Sequence, residues 1–214
     1  VCPIGEYEMS VEEKLAIIKE KFDVLSKDEN RKKVFGATDH RYKLNPVLKA
    51  KEIKAFEKKY KIKLPEDYRC FLMKFANGGA GPFLGIEELS HSIYEYLDHK
   101  SSQYVLDPSK PFEISEPWNM EYTGSREDEE AFEKWAEEYN DAKWANGLLR
   151  LCNYGCGQTI NLVVNGPEYG NMWVDDRGND GGIYPDSNFG QTGRTSFLDW
   201  YILWLDDSLN SIKK

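Results

Sequence analysis

Four groups of residues in this chain are of types that could do chemistry. Cys152 and Cys156 are separated by three residues, and in a strand–turn–strand context they could approach one another as metal thiolates or a redox pair must. No second cysteine pair accompanies them, and His40, His91 and His99 fall in unrelated segments, so the pattern reads as small buried residues. The run from Asp175 to Gly181 resembles part of a calcium loop, with Asp176, Asp180 and Gly181 at positions one, five and six. The match stops there: Gly178 stands at position three and Ser187 where a bidentate Glu is needed, which leaves too few ligands. The clusters Gly78-Gly79-Ala80-Gly81 and Gly155-Cys156-Gly157 continue into neither Gly-Lys-Ser/Thr nor a dinucleotide spacing, and read as turns.

The fourth group gathers aromatics and carboxylates within about one strand meander: Tyr154, Tyr169, Trp173, Asp175, Asp176, Tyr184 and Asp186. Tyr and Trp supply large contact area and carboxylates pair with a partner's Arg or Lys, so this mixture suits a protein-binding surface. A core Trp beside solvated turn acids is the competing reading. For Trp173 both readings stay open; Asp175 and Asp176 are read as interface. The sequence has neither a Gly-x-Ser-x-Gly elbow nor a His-Glu-x-x-His helix, and a Cys–His pair would draw its His from distant loops. No nucleophile is visible, so no catalytic residue, metal or cofactor is expected, and the chain reads as a binding module.

The elements that must position these residues are partly visible in the periodicity. Ser10 and Glu13 form a capping-box pattern ahead of Leu15, Ile18, Phe22 and Leu25 at helical steps. The polar stretch Lys27 to Tyr42 reads as loop or linker. Asn45 with Pro46 predicts a helix start, with Ile53, Phe56 and Tyr60 inward and a basic outer face: seven Lys against two Glu between Lys49 and Lys63. Pro65 opens another helix carrying Tyr68, Phe71, Leu72 and Phe75, and Gly78 is placed to end it. Glu87 to Pro117 lacks strong periodicity and predicts loops and short strands.

Arg126 to Asp141 holds eight acidic and two basic residues, yet Phe132, Trp135 and Tyr139 keep a helical stripe, which predicts an acidic amphipathic helix. Leu148–Asn153, Thr159–Asn165 and Met172–Asp175 predict consecutive antiparallel strands joined by Gly-containing turns, Asn165-Gly166 among them. Ser196 with Asp199 starts a last helix rich in Trp, Tyr and Leu. This order is not a βαβ alternation, so the class implied is segregated α+β.

Size and charge bound the rest. A chain of 214 residues can bury roughly 70% of its unfolded surface without disulfides or metal. Net charge is −9, which disfavours direct nucleic-acid binding and favours a basic protein partner. Four cysteines in no dense spacing point to a reducing compartment. The sequence has no apolar run of ~18 residues, and Val1 to Ser10 has no basic-then-apolar pattern. No membrane association is expected, and the expected location is cytoplasmic.

Three blocks resemble the SUKH superfamily, which groups fungal cell-wall-assembly regulators with many bacterial immunity proteins. The first spans Ile53 to Asn77, with Phe56-Glu57, Leu64-Pro65-Glu66-Asp67-Tyr68, Phe71-Leu72 and Asn77-Gly78-Gly79. The second runs from Leu149 to Asp176, with Tyr154-Gly155-Cys156-Gly157 and Gly170-Asn171-Met172-Trp173-Val174-Asp175-Asp176. The third holds Ser196-Phe197-Leu198-Asp199-Trp200-Tyr201 and Trp204-Leu205. The match covers roughly residues 46–209, and on it the chain divides into an N-terminal helix and linker over 1–45 and a SUKH-like domain over 46–214, with an insertion at about 98–141. The resemblance implies a non-enzymatic α+β domain, helices packed on a central antiparallel sheet, that binds a partner on a concave face. In bacteria that partner is typically a toxin domain, often a nuclease; in the fungal relatives the domain serves as a regulatory scaffold.

Overall fold

The computed structural model describes residues 9–94, 105–125 and 127–213. Cys2, His99, Arg126 and the start of the expected insertion at Asp98 lie outside them. Among the described residues the chain forms six α-helices and one four-stranded antiparallel sheet, the α+β class expected.

Helix α1 (Val11–Lys27) begins at Ser10, whose Oγ accepts from the Glu13 N–H while Glu13 accepts from the Ser10 N–H in return. Its buried stripe of Leu15, Ile18, Phe22 and Leu25 joins the main core, each side chain contributing roughly 1.5–3 kcal/mol on burial. The polar stretch after it is not all loop, since Ala37–His40 forms a short helix, α2.

Helix α3 (Ala50–Tyr60) starts four residues later than Asn45-Pro46 predicts. The Asn45 amide is spent elsewhere, donating to the Asn77 carbonyl and to Glu88 at 3.2 Å each. Residues 46–49 therefore lie outside the helix, with Lys49 extended and the Leu48 N–H bonded to the Leu72 carbonyl. Helix α4 (Glu66–Lys74) follows Pro65 as expected and carries buried Tyr68, Phe71 and Leu72. Its Asp67 reaches across to accept from the Leu198 N–H, capping the first turn of the last helix, α6 (Phe197–Ser211). Helices α1, α4 and α6 pack together, with Lys14 and Asp199 paired at 2.7 Å.

The sheet is a meander of order β1-β2-β3-β4, formed by β1 (Leu148–Gly155), β2 (Gln158–Val163), β3 (Met172–Asp175) and β4 (Ile183–Pro185). Strand alternation divides its side chains. Leu149, Ile160, Leu162, Met172 and Val174 face the helices, and an irregularity between Arg150 and Cys152 lets Leu151 and Cys152 join the same core. Leu148, Val163, Trp173 and Ile183 point the opposite way into a second core with Leu106, Phe112 and Ala145, ringed by Ile114, Trp118 and Trp144.

The sheet is thus covered on both faces, the second by residues 105–118 and the turn Ala142–Ala145. Gly166 and Gly182 make this possible: both have positive φ, and a Cβ there would stand 2.3 Å from the Phe112 oxygen and 2.2 Å from the Trp118 oxygen. Both sheet edges are also occupied. Trp118 exchanges two backbone hydrogen bonds with Ile183 outside β4, while Leu84, Glu87 and Ser92 bond along β1. No helix among the described residues is long and apolar enough to cross a membrane.

Candidate partner-binding surface

Trp173 is fully buried, correcting its placement on a binding face. Its ring meets Phe112 edge-on at 5.1 Å, the Arg194 guanidinium lies 5.1 Å from the other side, and its indole N–H donates to Glu168. Met172-Trp173-Val174 is an unbroken apolar run, which marks a strand buried on both faces. Asp186, 2% exposed, is likewise interior. It accepts from the Trp200 indole at 3.0 Å and from the Asn188 N–H at 2.8 Å, tying the end of the sheet to α6, and burial raises its carboxyl above the usual range.

Asp175 is committed inside the molecule as well. Both its oxygens accept from Arg177, at 2.9 and 2.8 Å, and the same guanidinium donates to the carbonyls of Tyr139 and Asp141. A cation there closes the C-terminus of helix α5 (Glu129–Tyr139). Asp175 is therefore a positioning residue that, through Arg177, fixes α5 against the sheet.

Tyr154, Asp176 and Tyr184 remain at the surface end of the meander. Tyr184 donates to Asp176 and accepts from Gln158, while Asp176 also accepts from Asn179 at 2.7 Å. Burial, with Asp176 beside it, pushes the Tyr184 hydroxyl up to about 12, so it stays a donor. Asn179 donates to the Cys156 carbonyl, joining the β1–β2 turn to the turn after β3. Tyr154 packs on Phe83 at 4.4 Å and faces Phe35 at 6.1 Å, and Phe35 is 60% exposed. Tyr169, also exposed, is held elsewhere, its hydroxyl donating to the Lys63 carbonyl between α3 and α4.

A second arrangement escaped sequence reasoning. The aromatic stripe of α5 is not closed off: with residues 119–124 and Asp180 it lines a cleft of about 800 Å3. Tyr139 forms the buried base, Trp135 stacks on it at 4.9 Å, and Tyr122 and Phe132 continue the rings outward. Inward, Tyr139 stacks on Trp118, which meets Trp144 at 4.3 Å, so a continuous aromatic row links cleft and second core. The helical stripe was legible; its meeting with residues 119–124, far from any periodic pattern, was not. The lone Phe35 in a polar loop was the one available hint for the other surface.

Cys152 and Cys156 do not pair. Cys152 is buried and donates to the Pro82 carbonyl, with burial raising its thiol well above the usual range, whereas Cys156 is exposed at the turn. Among the described residues no three of His, Cys, Asp and Glu gather as metal ligands would.

Compared with known proteins, residues 48–191 match the family model described as the SMI1 / KNR4 family (SUKH-1). Neither the curated proteins nor the solved structures gave a match.

Proposed function

Since the chain belongs to the SMI1 / KNR4 family (SUKH-1), we propose that it is an immunity protein that binds a cognate bacterial toxin in the cytoplasm and neutralises it by occluding it. The observation that carries this reading is at one end of the meander, where Phe35 and Tyr154 form an exposed aromatic pair and the half-buried Tyr184 is hydrogen-bonded to Asp176. Exposed aromatic anchors are what a protein interface concentrates, and a carboxylate beside them can pair with a partner's Arg or Lys. The acidic balance of the chain, −9 overall, suits a basic partner such as a nuclease, because opposite charge speeds encounter. Occlusion requires no chemistry from this protein, in keeping with a non-enzymatic role.

The test is co-expression with the effector encoded beside its gene. Protection of the cell and a one-to-one complex are expected. Phe35→Ala and Tyr154→Ala should each weaken the complex by about 1–3 kcal/mol, as anchors in a desolvated patch do. Failure of every neighbouring effector to bind, with cells left unprotected, would remove the proposal.

A second reading is a regulatory scaffold of the cell-wall-regulator kind. It is favoured by α5, whose Glu129, Glu130, Glu133 and Glu137 stand exposed as a docking face. Capture of housekeeping proteins, lost on charge reversal of those four residues, would support it over toxin binding.

A further inference from the structure

We propose that the cleft between residues 119–124 and α5 receives an arginine side chain of the protein partner. This rests on the partner reading above and adds the chemistry of one contact. The walls are the rings of Tyr122, Phe132 and Trp135 over the buried Tyr139, and the rim carries Glu121 and Asp180. A cation over aromatic faces is attracted by their quadrupole, more strongly once desolvated. A guanidinium suits such walls better than an ammonium, because it is planar, stacks on rings and is more weakly hydrated.

Charge supports the same occupant. Neither Glu121 nor Asp180 is in a salt bridge among the described residues, and α5 adds the exposed Glu129, Glu130, Glu133 and Glu137 nearby in sequence against one lysine, Lys134, while Glu138 is already paired with Lys143. Among the described residues the charged groups lining the cleft are therefore acidic, and a cation from the partner can offset them. The polar groups of the cleft are already oriented. The Trp135 indole donates to the Met120 carbonyl, and the Tyr139 hydroxyl donates to Asn119 while accepting from the Gly182 N–H. Those bonds hold the rings in place before any ligand arrives, which lowers the ordering cost of binding. About 800 Å3 also leaves room for the partner's backbone on either side of the inserted side chain.

The test uses the full chain with indole nitrogens labelled for NMR and titrates Nα-acetyl-arginine methylamide against the neutral isostere Nα-acetyl-citrulline methylamide. The Trp135 indole cross-peak, identified by its loss in Trp135→Phe, should shift and saturate with arginine, and about tenfold more weakly with citrulline. Glu121→Gln with Asp180→Asn should bring arginine down to the citrulline level, while unmoved Trp173 and Trp200 cross-peaks report an intact fold. No saturable shift, or equal binding of the two probes, overturns the proposal. So does a toxin complex of undiminished affinity in the Glu121→Gln, Asp180→Asn protein, a result that leaves the immunity reading standing. Arginine binding without any toxin partner would remove that reading instead and leave the cleft chemistry intact.

Discussion

Asp175 offers both carboxylate oxygens to one guanidinium, and through it controls where a helix more than thirty residues earlier ends. Asp186 does similar work for α6. Asp175 at the end of β3 and Asp186 just after β4 look available in sequence, yet the fold uses both to fasten its own helices. His40 makes the residue scale measurable. It is buried beside Tyr42 and Trp204, its Nδ1 accepts from the Tyr42 N–H, and burial pulls it down to about 4. The unfolded chain takes up that proton near the ordinary value of 6.5. Its contribution is therefore intact above that pH and is lost as pH falls toward 4, by up to about 1.4 kcal/mol per unit. Asp67 and Asp186 act in the opposite sense, since burial raises both and their folded carboxyls bind protons first. His40→Leu should show a shallower fall in Tm between pH 6.5 and 4 than the parent; an equal fall would show that His40 is not the titrating group.

At the scale of elements, the periodic ones could be read in advance. The capping box of α1, the Pro65 start of α4, the three strands and α6 follow from local patterns. β4 was not legible, being three residues long and ending in Pro, and neither was the strap of residues 105–118, whose place is set by long-range packing and not by a period. Of the candidate surface residues, Tyr184 and Asp176 are hydrogen-bonded to each other and Tyr154 is exposed, while Trp173 and Asp186 are withdrawn by burial. Gly182 shows how narrow the strap's fit is. With φ +77 and the Trp118 oxygen 2.2 Å from where a Cβ would be, Gly182→Ala should cost about 2–4 kcal/mol of folding free energy. Denaturant unfolding measures this, and a change below about 0.5 kcal/mol would mean that the contact yields.

For the whole molecule, charge is unevenly spread: α3 carries the Lys-rich surface and α5 the Glu-rich one. Under the proposed function, a basic partner is steered toward the Glu-rich α5 and away from the Lys-rich α3. Its association rate should fall roughly tenfold or more as salt is raised from low to high ionic strength, with dissociation little changed. Stopped-flow mixing at several salt concentrations checks this, and a salt-independent association rate would rule out electrostatic steering.

With Trp118 lying along β4 and residues 84–92 along β1, the sheet has no open side on which another chain could lay down a strand. A partner of this sheet is therefore met by side chains and not by strand addition. Such recognition can be rewritten by single substitutions without disturbing the scaffold, so partner identity and foldedness are free to vary independently.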